Sequence, residues 1–223
     1  NIAAWVEDDP DFYDLLPGGK KVLSIPKVEV YRRRIDPEHS LMELIGLADV
    51  KQKIHRFGAF ASYNTLMSNL NLSTQGINAH ALFVGGVGVG KTTVAKLYAS
   101  LLYNCGLLST GQVVVADRST FVDKYWGHAE RTLSKILKLA TGGVLLIDEA
   151  YLLNPSSDDR DPGRVVIQML LEVLADQKSR DLAIVLAGYH DKLMALQALD
   201  PGLESRCPTV YHCEDCTRKE LNS

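Results

Sequence analysis

The sequence predicts an α/β fold: a parallel sheet covered by helices on both faces. Three observations predict it. Short apolar runs recur at 81–84, 113–116, 144–147 and 182–187, each free of charged residues. Strands buried on both faces read this way, whereas half-exposed strands alternate in polarity. Between these runs lie longer stretches with apolar residues at the helical period, and strands alternating with helices argue for crossover units and a parallel sheet. Third, Gly85-Gly86-Val87-Gly88-Val89-Gly90-Lys91-Thr92 joins the first run to a helical stretch and fits G-x-x-x-x-G-K-[ST], the phosphate-binding loop.

The elements follow in order. Residues 1–39 read as an N-terminal appendage without its own large core. Asp8, Asp9, Asp11 and Asp14 make it acidic, Pro10, Pro17, Pro26 and Pro37 interrupt any long helix, and Val22, Val28 and Val30 suggest short extended pieces. Arg32-Arg33-Arg34 reads as a solvated basic run. Ser40-Leu41-Met42-Glu43 fits a capping box with Ser40 as N-cap. A helix is predicted from Asp49 to about Leu70, with Val50, Ile54, Phe57 and Phe60 or Ala61 on one face. After the first strand and the phosphate loop comes a helix led by Thr93-Val94-Ala95-Lys96-Leu97. Val113–Ala116 is the next buried strand, and a helix-friendly patch opens at Ser119. Helical period resumes from Ala129 to Ala140 and ends at Gly142-Gly143. Val144–Ile147 is a strand running into Asp148-Glu149. Residues 154–162 are a polar loop, Val165 to Leu174 a helix, Leu182 to Ala187 a strand and Asp191 to Leu199 a helix. Pro201-Gly202 reads as a turn, and Thr209-Val210-Tyr211 as a last short strand.

Composition limits the function classes. The 223 residues suit one large or two small domains, and 46% hydrophobic residues can build a core. A formal charge of −3 gives no broad basic field for nucleic acid. No apolar run approaches the ~20 residues of a membrane span, so neither nucleic acid nor membrane is expected as a partner. No secretory signal is visible, so a cytoplasmic location is expected; the start at Asn1 leads us to expect a trimmed chain, with an organellar matrix as the location if a targeting segment has been removed. Cys105, Cys207, Cys213 and Cys216 do not form a secreted disulfide pattern. Cys213-x-x-Cys216, near Cys207 and His212, has metal-like spacing, but one pair without a second is weak evidence for zinc, and buried thiols are the favoured reading.

The phosphate loop supplies a chemical reading. Its glycines let backbone N–H groups turn towards phosphate oxygens, and the helix behind presents its positive end to an anion. Lys91 would reach the β- and γ-phosphates, and Thr92 would ligate Mg²⁺. About 55 residues on, an apolar strand ends in Asp148-Glu149, the Walker B pattern. Asp148 would hold Mg²⁺, directly or through water, and Glu149 would polarise the attacking water. Together these predict Mg²⁺-dependent hydrolysis of ATP or GTP, and no guanine-reading Asn-Lys-x-Asp motif is present.

Gly85 to Lys96, Tyr125-Trp126-Gly127-His128, Gly142 to Leu152, Leu186-Ala187-Gly188-Tyr189 and Pro201-Gly202-Leu203-Glu204-Ser205-Arg206 together resemble the AAA+ ATPases of the CbbX type. That group includes red-type Rubisco activases, with relatives in sporulation and type VII secretion. The resemblance covers about residues 40–221. It implies an AAA+ large subdomain at 40–216 with a five-stranded parallel sheet, and only the start of a helical lid domain at 217–223. It also implies weaker nucleotide binding and poorer assembly than with the lid. By the same resemblance ATP is the nucleotide, held by Ile45 and Gly46 beside adenine, by Gly86, Val87, Gly88, Val89, Gly90, Lys91, Thr92 and Thr93 around the phosphates, and by Asp148 with Mg²⁺. Arg206 matches an arginine finger acting on the next subunit, so Glu149, Arg206 and Lys91 form the implied catalytic set. Tyr125, Trp126 and Gly127 match a pore loop that grips a polypeptide. A ring-shaped homo-oligomer, a hexamer in the full-length protein, acting on a protein substrate is the implied assembly.

The sequence departs from the family's pattern at several places. Val87 replaces a proline in the loop, Arg164-Val165 follows Gly163 where an acid is usual, and Cys213 and Cys216 stand at usually aromatic positions. A polar sensor is usual after the fourth strand, where this chain has Tyr189 and His190. Two rival readings are an ATP-dependent switch or scaffold that exerts no pull, and a DNA-acting AAA+ protein, which the lack of a basic stripe disfavours.

Overall fold

The computed structural model describes residues 28–34, 36–44, 47–72, 76–121, 128–153, 161–175, 181–199 and 201–213. Its centre is one six-stranded sheet formed by β1 (Glu29–Tyr31), β2 (Ala81–Val84), β3 (Val113–Ala116), β4 (Val144–Ile147), β5 (Ala183–Gly188) and β6 (Thr209–His212), in the order β1-β3-β4-β5-β2-β6. β2 to β6 are mutually parallel, as expected, and β1 runs antiparallel to β3 with Val30 opposite Val114.

The side chains alternate along each strand between two cores, as the pleat requires. Leu82, Val84, Val114, Leu145, Ile147, Ile184 and Leu186 face one core. That side is covered by α5 (His128–Ala140), α6 (Pro162–Ala175), α7 (His190–Leu199) and α8 (Pro201–Arg206). Ala81, Phe83, Val113, Val144, Leu146, Val185 and Tyr211 face the other. There α1 (Pro37–Glu43), α2 (Ala48–Asn69) and α3 (Lys91–Asn104) pack, and the short α4 (Arg118–Phe121) follows β3. Tyr98 of α3 centres the second core, its ring 5.8 Å from Phe83 and 5.6 Å from Tyr211, with its hydroxyl donating to Ala79 O at 3.0 Å. The two apolar faces explain why β2 to β5 carry no polar residue.

Three details differ from the sequence reading, and a fourth settles an alternative it left open. The segment assigned to the appendage supplies a sixth strand: Val28 and Val30 are buried in the first core, while β1 takes its hydrogen bonds from β3. The extended piece expected at Val28 and Val30 is there, but three residues among prolines carry too little period to show that it joins the sheet. The helix at 40 begins earlier. Asp36, not Ser40, is its N-cap, accepting from His39 N at 3.1 Å, with Pro37 in the first turn. Ser40 instead donates to Asp36 O from inside the helix. Ala61 rather than Phe60 continues the buried face of α2, since Phe60 is 46% exposed. Pro201-Gly202 opens α8 instead of making a turn, because proline's missing N–H costs nothing in a first helical turn.

Candidate functional site

The phosphate loop links the end of β2 to α3, beside the ends of β5 and β6. Gly85 N donates to Gly188 O at 3.0 Å, and Cys213 N donates to Val84 O at 2.7 Å. A Cβ on Gly85 would lie 2.2 Å from Cys213 O, so the close passage of the chain after β6 admits only glycine. Gly88 and Gly90 have φ of 81° and 86°, left-handed values that glycine adopts without steric cost. Gly90 is the N-cap of α3, and Lys91, Thr92 and Thr93 form its first turn. The unpaired N–H groups of that turn point out of the helix start. Val87, in the place of the usual proline, is 74% exposed, while Val89 packs against the second core.

Lys91 is folded into this loop. It is only 6% exposed, and its Nζ donates to Gly85 O at 3.1 Å and Gly86 O at 2.7 Å. Glu149 Oε1 lies 3.8 Å from the same Nζ. The lysine comes from α3 and the carboxylate from the end of β4, which β5 separates from β2 in the sheet, so the pair spans the strand ends. In open α/β sheets this carboxyl-end crevice is where ligands bind.

β4 ends at Ile147, and the chain turns at once. Asp148 N donates to Ala116 O at 2.8 Å, and Asp148 Oδ1 accepts from Glu149 N at 3.0 Å. Glu149 has φ of 48°, a left-handed conformation that costs a non-glycine residue about 1–2 kcal/mol. The turn carries its carboxylate back towards Lys91. Oε2 of that carboxylate is buried and makes no close hydrogen bond among the described residues. A 3-10 turn, Ala150–Leu153, follows, with Leu152 N donating to Glu149 O at 2.8 Å.

A cavity of about 630 Å³ opens here, its lining including Glu29, Thr92, Asp117, Arg118, Asp148 and Glu149. The loop fits a phosphate chain: two left-handed glycines, a helix start and a buried lysine form an anion cradle. Thr92 and Asp148 supply the oxygen donors a hard cation such as Mg²⁺ prefers. Arg118 is committed elsewhere. It donates to Leu152 O at 2.7 Å and pairs with the buried Asp161 at 3.1 Å.

Tyr189, held as a possible sensor, follows β5 with its ring centroid 6.0 Å from Lys91 Nζ and 6.0 Å from the Tyr151 ring. His190 instead pairs with Asp191 at 3.0 Å and lies 5.7 Å from the His212 ring. Sequence reasoning passed over Tyr151. Its phenol is pushed up to about 12, first by the neighbouring Glu149 carboxylate and then by burial. Its signal was a hydroxyl-bearing ring two residues beyond the Walker B acid.

Arg206 ends α8, and its carbonyl accepts from Asn78 Nδ2 at 2.8 Å; it does not line the cavity. Cys207 and Cys213 are buried in opposite cores, where burial pushes their thiols up to about 12 and about 11. Ile45, Gly46, Tyr125, Trp126, Gly127 and Cys216, and the start of the lid, lie outside the described residues. Among the described residues no helix is long and apolar enough to cross a membrane.

Comparison with known proteins agrees with this geometry. Residues 81–215 match the ATPase family associated with various cellular activities (AAA). A chloroplastic ribulose bisphosphate carboxylase/oxygenase activase of Cyanidioschyzon merolae is 40% identical over 179 residues, 80% of this chain and 61% of the relative. A CfxQ homologue of Galdieria sulphuraria is 40% identical over 80% of this chain and 58% of its own length. A chloroplastic cbbX homologue of Guillardia theta is 40% identical over 81% of this chain and 48% of its length. The chain thus spans about half to three fifths of these relatives. The loop, the Walker B turn and the matched span lead to one assignment: the chain belongs to the AAA ATPases, with its likeness among the CbbX and CfxQ proteins.

Proposed function

We propose that this chain is the nucleotide-hydrolysing part of an ATP-driven, ring-forming machine that remodels a protein substrate. One observation carries the reading: Lys91 from the start of α3 and Glu149 from the end of β4 meet at 3.8 Å beside Thr92 and Asp148. Bound ATP with Mg²⁺ supplies the phosphoanhydride to be split. The N–H groups of Gly86 to Thr93 hold its phosphates, and Ile45-Gly46 flank its adenine. Lys91 exchanges the carbonyls of Gly85 and Gly86 for β- and γ-phosphate oxygens and offsets their charge. Thr92 and Asp148 hold the Mg²⁺. Glu149 takes a proton from the attacking water.

Arg206 completes the site of a neighbouring copy, which accounts for its place away from its own cavity. Tyr125-Trp126-Gly127 grip the polypeptide. The full-length protein works as a hexamer, and the relatives named as Rubisco activases make Rubisco the first protein substrate to try.

ATP turnover of the full-length protein across protein concentration tests this. Specific turnover is expected to rise cooperatively with concentration. It should vanish in Glu149→Gln and fall by about 10³-fold or more in Arg206→Ala, with ATP still bound by both. Turnover per chain that ignores concentration removes the shared site. Tight ATP binding with negligible turnover in the wild type makes the protein a switch or scaffold instead.

A further inference from the structure

Helix α2 carries two apolar faces, and the sheet uses only one of them. Val50, Ile54 and Ala61 are buried. On the opposite side Phe60, Tyr63, Leu66 and Leu70 are 46–58% exposed, and Leu72, just past the helix end, is 54% exposed. Spacings of three and four residues put the first four on one stripe of the helix. No charged residue occurs from Phe57 to Leu72. Single exposed apolar side chains need no explanation, but a continuous stripe of large ones marks a contact surface.

The same helix borders a groove. Near its start Lys53, Arg56 and Phe57 face Pro208, Thr209 and Val210 across a space of about 480 Å³. β6 is the last strand of the sheet, so no strand covers this side of it. Lys53 is already engaged, pairing with Asp49 at 2.8 Å and donating to Val210 O at 3.5 Å. Arg56 makes no ion pair or hydrogen bond among the described residues. Groove and projecting leucines are equally far from the middle of the stripe. The groove residues of α2 centre about eight positions before Tyr63, and Leu70 and Leu72 about eight after it, about 12 Å either way at 1.5 Å per residue.

We propose that this stripe docks a second copy of the chain, the two α2 helices lying antiparallel with Tyr63 on a two-fold axis. That symmetry makes the contact self-complementary. Leu70 and Leu72 of each copy enter the groove of the other, and Phe60 packs on Leu66 across the axis. Arg56 reaches the last carbonyls of the opposing helix, where a cation is favoured. The uncharged run from Phe57 to Leu72 brings no like charges into the overlap. A parallel pair would set Arg56 against Arg56 and leave both grooves empty. Five half-exposed side chains leave roughly 450 Å² of apolar surface per copy. A pair covers about 900 Å² from these alone, and the groove walls of both copies add towards the ~1,200 Å² at which specific interfaces begin. The contact is separate from the head-to-tail one proposed for Arg206, because a two-fold contact closes on itself.

The test is sedimentation velocity of the full-length protein from low to high micromolar concentration, with melting temperatures, as wild type, Tyr63→Glu, Leu70→Gln and Arg56→Gln. The wild type should double in mass as concentration rises, whatever ring it also forms. Tyr63→Glu sets two charges together on the axis and should weaken the doubling about 100-fold or more. Leu70→Gln should weaken it about ten-fold and Arg56→Gln about five-fold. All four proteins should melt alike, since the changed side chains are exposed. If Tyr63→Glu melts lower, the other two variants decide. A wild type that never doubles overturns the inference, whether the stripe is bare or covered by another part of the chain. Doubling that survives both Tyr63→Glu and Leu70→Gln overturns it by placing the contact elsewhere. Arg56→Gln that doubles more readily than the wild type overturns it by making the pair parallel.

Discussion

Replacing Gly85 by alanine should loosen the join between β2 and β6 more than it disturbs any other part of the sheet. The added Cβ would fall 2.2 Å from Cys213 O and 2.9 Å from Val89 Cγ2, where ordinary contact begins near 3.4 Å. Relief requires a shift of about 1.2 Å between the phosphate loop and the end of β6, from 2.2 to 3.4 Å. The neighbouring Cys213 N to Val84 O bond, now 2.7 Å, does not survive a shift of that size. A buried backbone donor left unpaired costs about 1–3 kcal/mol, and overpacking against Val89 adds about 1 kcal/mol or more. The sum, about 2–4 kcal/mol, lowers the melting temperature by about 5–15 °C for a domain of this size. Two companions isolate the cause. Nothing lies within 4 Å of a Cβ at Gly76 or Gly88, but Gly88 has φ of 81°. Gly76→Ala should leave the melting temperature unchanged, and Gly88→Ala should cost about 1 kcal/mol from backbone strain alone. Thermal unfolding followed by circular dichroism ranks the three. A Gly85→Ala protein that melts within about 2 °C of wild type would refute the contact argument, given that shift per kcal/mol.

Two further predictions concern stability. His80 accepts from Ile184 N through Nδ1 at 3.0 Å, and burial pulls its pKa down to about 4. The unfolded chain binds that proton first, so stability is full above about pH 6.5, declines as pH falls, and has lost about 3 kcal/mol by pH 4. Urea midpoints between pH 7 and pH 4 should therefore drop in the wild type and drop less in His80→Asn; parallel slopes would refute this role for His80. Arg118 ties α4 to the turn after β4 through Leu152 O and to the start of α6 through Asp161, so Arg118→Gln should cost about 2–3 kcal/mol, measured as a shift in urea midpoint at unchanged m-value. A midpoint identical to wild type would mean that the pair contributes nothing net.

The strands were readable because their environment is simple. Phe83, Val114, Leu146 and Val185 have apolar neighbours on whichever face they point to, so the strands containing them could be nothing but continuous apolar runs. β1 was read only as a short extended piece at Val28 and Val30; its place in the sheet was missed because a pairing of three residues is decided by β3, far along the chain, rather than by any local period. The cap of α1 was misplaced by one turn because Ser40 and Glu43 imitate a capping box inside a helix that Asp36 already caps. At the site, residue types could be read from the loop and from Asp148-Glu149, since phosphate and cation chemistry restricts them. Their geometry could not. The left-handed turn at Glu149 and the folding of Lys91 onto Gly85 and Gly86 depend on torsions and on the strand order. Tyr151 was invisible for the same reason: its contact with the Tyr189 ring, from a different strand end, exists only after the sheet has formed.

The antiparallel pairing of β1 with β3 bears on how the protein can be cut. A version beginning at residue 40, where the family resemblance starts, would strip Glu29–Tyr31 from the sheet and leave Val113-Val114-Val115-Ala116 with one side of its backbone unpaired. Four consecutive small apolar residues with free N–H and C=O groups are a ready template for the strand of another molecule. Such a truncation should self-associate through that side, and the associated species would be easy to mistake for a functional ring.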